Sequence, residues 1–144
     1  EYIDKYPSMQ VCTPCRSSWG ANGYSEVWLN HTNDYAHKYL HDIGNKMVEL
    51  ANRFPNENDK IKKKALNQCA REVLLAQSSD WLFIITNGTM VDYAKKRIKD
   101  HVGRFNRLYD GLMNDKIDEE YIEFLKDISK KDCIFPEIDY MIYK

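Results

Sequence analysis

Long hydrophobic runs are missing from this chain. The longest, Trp81 to Ile85, falls far short of the roughly 20 residues that a membrane span needs, so no membrane partner is expected. Charge of one sign is equally scarce. With 21 Lys and Arg against 22 Asp and Glu, the formal net charge of −1 leaves no electrostatic footprint for nucleic acid. Cysteine is sparse and irregularly spaced, at Cys12, Cys15, Cys69 and Cys133. Cys69 falls on an apolar helical face. Free thiols in a reducing cytoplasm therefore fit better than a disulfide framework. Cys12-Thr13-Pro14-Cys15 has the CxxC form of redox and half-zinc sites. Neither a second CxxC, nor a nearby His pair, nor a βαβ pattern accompanies it, so no metal and no cofactor is expected. A signal peptide is not visible and the first residue is Glu1 rather than Met, so a piece of a longer protein is expected.

Complete catalytic sets are lacking as well. Glycosidic cleavage commonly uses two carboxyl groups, about 5–5.5 Å apart in retaining enzymes. Here Asp80 is the only acid in a suggestive polar setting, and nothing identifies its partner. The four histidines (His31, His37, His41, His101) have no convincing Ser or Cys companion. His37 and His41 share a helix face, but the glutamate of a zinc-protease motif is absent between them, and they fit a surface better. No catalytic residue is assigned to the chain. The triplets Asn30-His31-Thr32 and Asn87-Gly88-Thr89 read as unused glycosylation sequons.

What is present is helical patterning. At 144 residues, 43% hydrophobic and 30% charged, one domain with a real core is expected. Residues 1–32 are irregular, broken by Pro7, Pro14, Gly20 and Gly23, with one short strand expected over residues 24–29. From Asn33, the expected N-cap, Tyr35, Tyr39, Leu40, Ile43, Met47, Leu50, Ala51 and Phe54 form one apolar stripe, which Pro55 ends. A second helix turns Ile61, Ala65, Leu66, Cys69, Val73 and Leu74 inward, and its Lys60 to Lys64 cluster reads as a solvated face. After Asn87-Gly88, Thr89 is the expected cap of a third, long helix. Its stripe runs from Met90 through Ile98, His101 and Phe105 to Leu112, with His101 as a satisfied core residue. Arg97, Arg104 and Arg107 flank that stripe and are expected to pair with acids on neighbouring helices. A fourth helix begins at Asp118, with Ile117 and Ile122 at the positions of a hydrophobic staple. The apolar tail Ile134 to Tyr140 should fold back on the domain. Short connections favour antiparallel neighbours. The expected fold is all-α: an up-and-down bundle of about four helices, preceded by an irregular, aromatic-rich segment.

Two places offer binding chemistry. Gln77, Ser78, Ser79 and Asp80 lie between the end of the second helix and Trp81. Polar groups in such a place must be paired or exposed, because burying them unpaired costs about 1–3 kcal/mol each. A carboxylate, an amide, hydroxyls and an indole together suit a polyhydroxylated ligand; a helix end with a core Trp uses the same residues. Trp19 sits in a Ser/Gly loop, with Trp28 nine residues on. An indole face held this way can lie against a sugar ring, or it can anchor the loop to the helices.

Ser17-Ser18-Trp19-Gly20, Gly23-Tyr24 and Val27-Trp28-Leu29-Asn30 form one ordered block. Further blocks are Leu74 to Trp81, Gly88, Tyr93-Ala94, Arg97, Arg104 to Tyr109, and Phe135 to Tyr140. Together they resemble the segment after the catalytic barrel in glycoside hydrolase family 57, nearest the 1,4-α-glucan branching enzymes and their α-amylase-like relatives. The resemblance implies an upstream distorted (β/α)-barrel carrying a glutamate nucleophile and an aspartate acid/base. It implies residues 1–32 packed against that barrel and residues 33–144 as a helical C-terminal domain. The implied substrate is an α-1,4-glucan of amylose or glycogen type, cleaved and passed to a glucan hydroxyl or to water. Trp19 and Trp28 match aromatics at the family's glucan cleft, and Asp80 matches an acid that binds sugar hydroxyls. Gln77, Ser79 and Trp81 belong to its last characteristic region. Where relatives often carry Gln, this chain has Thr89, whose shorter side chain puts that sugar contact in question. The CxxC pair is not part of the family pattern. A stand-alone helical binding module is the alternative of a different class.

Overall fold

The computed structural model describes residues 1–8 and 10–144. After a one-turn helix, α1 (Tyr2–Lys5), five substantial helices follow: α2 (Asp34–Arg53), α3 (Lys60–Ala76), α4 (Ser79–Asn87), α5 (Val91–Met113) and α6 (Glu119–Lys131). A 3-10 turn, Tyr140–Tyr143, follows them. Among the described residues there is no strand. Helix α5 is the hub: it packs on α2, α3, α4 and α6, most extensively on α3.

The helical stripes account for this arrangement. Ile43, Met47 and Leu50 of α2, Leu66 and Val73 of α3, and Phe105 and Leu108 of α5 all lie in one buried core. Each such side chain contributes about 1.5–3 kcal/mol when withdrawn from water. Caps set two of the starts. Asp59 accepts hydrogen bonds from the Ile61 and Lys62 amides at 2.8 and 2.9 Å, and Asp118 accepts one from the Tyr121 amide at 2.9 Å. Gly111 lets α6 approach α5. A Cβ there would lie 2.2 Å from the Tyr121 ring, whose hydroxyl donates to the Leu108 carbonyl.

The expected bundle is found, with three corrections. Trp81 to Ile85 is not a bare apolar run between helices but part of α4, which Gly88 ends in the left-handed region at φ 72°. Residues 24–29 are turns rather than a strand. Ser25 has φ 67°, and the Trp28 and Leu29 amides both return to the Ser25 carbonyl, so the backbone is closed on itself and has no strand to pair with. Met90, not Thr89, holds the N-cap position of α5. Asn33 does occupy the N-cap position of α2, but its side chain bonds elsewhere.

The tail packs back as its apolarity requires. Arg71 donates to the Ile134 and Phe135 carbonyls, Asn67 accepts from the Tyr140 amide, and Tyr140 is buried. The Tyr140 hydroxyl donates to the Phe54 carbonyl at 2.5 Å and accepts from the Glu57 amide at 3.0 Å, across the turn between α2 and α3.

Candidate functional site

The N-terminal loop is built from its own hydrogen bonds and then tied to two helices. The Ser18 amide donates to the Gly23 carbonyl, and the Ser25 amide to Ser18 Oγ, both at 2.6 Å. Gly20 and Gly23 each have φ 78°, a conformation that favours glycine. Thr86 of α4 is the tie point. Its hydroxyl donates to the Val27 carbonyl at 2.6 Å and accepts from the side-chain amides of Asn30 and Asn33, each at 2.9 Å. His37 Nε2 lies 2.9 Å from the Trp28 carbonyl and links the loop to α2.

This loop places Trp19 and Trp28 on Phe83 of α4. Ring centroids are 6.2 Å apart for Trp19–Trp28, 5.9 Å for Trp19–Phe83 and 6.4 Å for Trp28–Phe83. Trp19 nevertheless remains 70% exposed. Trp28 is half-buried, and its indole N–H is shielded from water without a partner. Phe83 carried no signal in the sequence beyond its membership of an apolar run.

The junction of α3 and α4 holds three more of the six expected contacts. Gln77 is the exposed C-cap of α3. Asp80 is exposed in the first turn of α4 and accepts the Ser78 hydroxyl at 2.7 Å. Trp81 is half-buried, and its indole N–H donates to the Leu75 carbonyl at 2.7 Å. Its ring meets Tyr93 edge-on at 6.0 Å and lies under Arg97, whose guanidinium carbon is 5.4 Å from the ring centre. Trp81 and Phe83 are two residues apart on one helix and so point to different sides. Trp81 consequently joins Tyr93 and Arg97, while Trp19 and Trp28 gather on Phe83. Thr89 is exposed in the turn before α5. A groove of about 700 Å³ between α2 and α5, lined by Tyr35, Tyr39, Ile98 and Val102, includes none of the six.

Beyond Trp81 and Arg97 lies a buried polar cluster. Glu72 and His101 are both fully buried, with Glu72 Oε2 2.7 Å from His101 Nδ1. Arginine can only donate, so the 3.0 Å contact from Arg97 Nη2 makes His101 Nε2 the acceptor. Nδ1 therefore carries the hydrogen and donates to Glu72. Gln68 Nε2 donates to Glu72 Oε1 at 2.7 Å, and Arg104 to Asp132 at 2.6 Å. Burial pushes Glu72 above the ordinary carboxylate range, against the hydrogen bonds from His101 and Gln68. Ligand atoms of Glu72, His101 and Asp132 lie within 4.8 Å of one another. Each acid there already accepts an N–H, and the Arg97 and Arg104 guanidinium groups border the cluster. A cation does not fit this donor set. His101 is thus a satisfied core residue, as its place in the stripe implied. Glu72 and Asp132 were missed because their distance along the chain from His101 hides the pairing.

Comparison with known proteins gives this architecture its relatives. Residues 39–143 match the family model described as "1,4-alpha-glucan branching enzyme, C-terminal", and the chain belongs to that family. It is a C-terminal helical region of the glycoside hydrolase family 57 type. A curated 1,4-alpha-glucan branching enzyme from Thermococcus kodakarensis is 33% identical over 119 residues, covering 82% of this chain and 18% of the relative. The solved GH57-type branching enzyme of Pyrococcus horikoshii superposes with a TM-score of 0.85 at 31% identity, over 99% of this chain and 27% of that one. The alpha-amylase AmyC of Thermotoga maritima gives a TM-score of 0.79 at 41% identity, over 99% of this chain and 25% of the other. The chain thus spans about a fifth to a quarter of the length of these relatives.

Proposed function

We propose that this region supplies one wall of an α-glucan cleft in a 1,4-alpha-glucan branching enzyme whose nucleophile and acid/base lie on an upstream barrel. The carrying observation is the exposed Trp19 indole, held over Phe83 and Trp28 by a loop pinned at Thr86. In water an unsupported indole of this size is a poor surface residue, whereas against the apolar face of a glucose ring it is a good one. Trp28 backs the platform. Gln77, Asp80 and Trp81 line the neighbouring edge, and Thr89 reaches a shorter distance into it. Residues 1–32 face the barrel and residues 33–144 brace them.

The intact enzyme cleaves an α-1,4 bond through a covalent glycosyl intermediate and passes the chain to a glucan 6-hydroxyl. Keeping water from that intermediate is a task that aromatic loops suit. We place the enzyme in the cytoplasm, acting on glycogen-type glucan. A hydrolytic variant of the same reading draws on the 41% identity to AmyC.

Trp19→Ala in the full-length protein is the test. Branching of amylose should fall at least tenfold while the melting temperature moves little. A stability loss of about 3–5 kcal/mol would mark a core residue and end the platform reading. Formation of α-1,6 linkages against release of reducing ends separates branching from hydrolysis.

A further inference from the structure

The geometry points to Arg97 as a positioning residue for the Trp81 indole, held in place by the buried Glu72–His101 pair. The inference rests on the proposed role of Trp81 in the glucan-contacting wall and adds the group that sets its ring.

Arg97 precedes His101 by one helical turn, so both side chains share one face of α5. His101 presents the lone pair of Nε2 to Arg97 because Glu72 holds the hydrogen on Nδ1. Glu72 is in turn fixed by Gln68. A continuous line therefore runs Gln68–Glu72–His101–Arg97–Trp81, from the middle of α3 to the surface. Arg97 Nε is buried with no hydrogen-bond partner, so nothing draws that side of the guanidinium away from the ring. At the edge of the ring, the Leu75 carbonyl holds the indole N–H. The ring is fixed by a hydrogen bond at its edge, a cation at its face and Tyr93 beside it. A ring ordered before the sugar arrives loses less freedom on binding, so the effect belongs in affinity rather than in the chemical step.

The test compares Arg97→Met, Arg97→Lys and Trp81→Ala in the full-length enzyme, with KM for amylose, kcat and melting temperature read for each. Arg97→Met keeps length and loses the cation; KM should rise about three- to tenfold with kcat within about twofold. Arg97→Lys keeps a charge, yet a single nitrogen cannot serve His101 and cover the ring together, so KM should rise about twofold. Unchanged KM in either variant, with or without a lower melting temperature, overturns the inference. Should Arg97→Met fail to fold, the Lys variant decides alone. Trp81→Ala separates the layers. Raised KM there with unchanged KM in the Arg97 variants removes only the positioning role. Unchanged KM in Trp81→Ala removes the wall reading of Trp81 and this inference with it.

Discussion

Two regions concentrate polar and aromatic groups: the seam where α3, α5 and α6 meet, and the corner where residues 18–33 meet α4. In the seam, Glu72, His101, Gln68 and Asp132 are buried, and their hydrogen bonds are closed within the protein. In the corner, Trp19 faces water and the Trp28 N–H lacks an acceptor. Buried polar groups stabilise only when fully paired, so the closed network belongs to the fold. Half-covered rings on a pinned loop leave apolar surface uncovered, the surface that the proposed glucan contact uses. Similar chemistry separates into two structural settings by how completely it is satisfied.

The strongest way to break this contrast is Glu72→Ala. It strands His101 Nδ1–H and Gln68 Nε2–H in the core, and denaturant unfolding should register a loss of about 3–5 kcal/mol. A loss below about 1 kcal/mol would make the seam as dispensable as the surface. Next comes Gly111→Ala, which drives a methyl into the buried Tyr121 ring and should cost about 1–3 kcal/mol by the same measurement. Thr86→Val acts on the corner. It removes the donor to Val27 and the acceptor for Asn30 and Asn33, and about 1–2 kcal/mol should be lost. Faster proteolysis within residues 18–33, with α3 and α5 intact, would sharpen the division between the regions. Gly103→Ala has the opposite sign. Open space surrounds this mid-helix glycine, and stability should rise by about 0.4–1 kcal/mol.

The smallest effect is on the water-facing side of α5. The Tyr109 hydroxyl donates to Glu49 at 2.7 Å, and that bond, with a smaller contribution from burial, raises its pKa from 10.0 to about 12. The folded protein then keeps a proton that the unfolded chain releases. The Tyr109 contribution is therefore complete below pH 10 and lost as pH rises through about 12. Phenolate absorbance during an alkaline titration should place one tyrosine near 12, and Tyr109→Phe should remove it.

Helical periodicity made most of the fold legible. The central parts of the α2, α3 and α5 stripes, the Asp118 cap and the returning tail follow from spacing and local chemistry, whereas Tyr35, Tyr39, Ile61 and Met90, at the starts of those stripes, stay exposed. Helix α4 was hidden because Trp81 to Ile85 is apolar on every side, so no face stands out. The strand expected at residues 24–29 had suitable alternation, but alternation cannot supply a partner strand or foresee the positive φ at Ser25. At the candidate site, Trp19 and Trp28 stood out by type and setting. Phe83 and Thr86, which fix where those rings sit, did not, since both relations cross more than 50 residues of chain. His101 was recognisable as a core residue from its stripe. Its partners were not, because Glu72 and Asp132 lie on either side of it in sequence and meet it only in the packed seam.

The Tyr140 clasp also constrains the order of events during synthesis. Its partners at Glu57 and Phe54 precede it by 83 and 86 residues. Helices α2 and α3 emerge from the ribosome long before the hydroxyl that closes the turn between them. Until Tyr140 arrives, the Glu57 amide and the Phe54 carbonyl must bond to water, and the apolar ends of both helices stay uncovered. Large spans between contacting residues slow folding and prolong such exposure. A nascent chain stalled before residue 140 should therefore carry its longest helices already formed yet remain open at one end, a natural stage for chaperone contact.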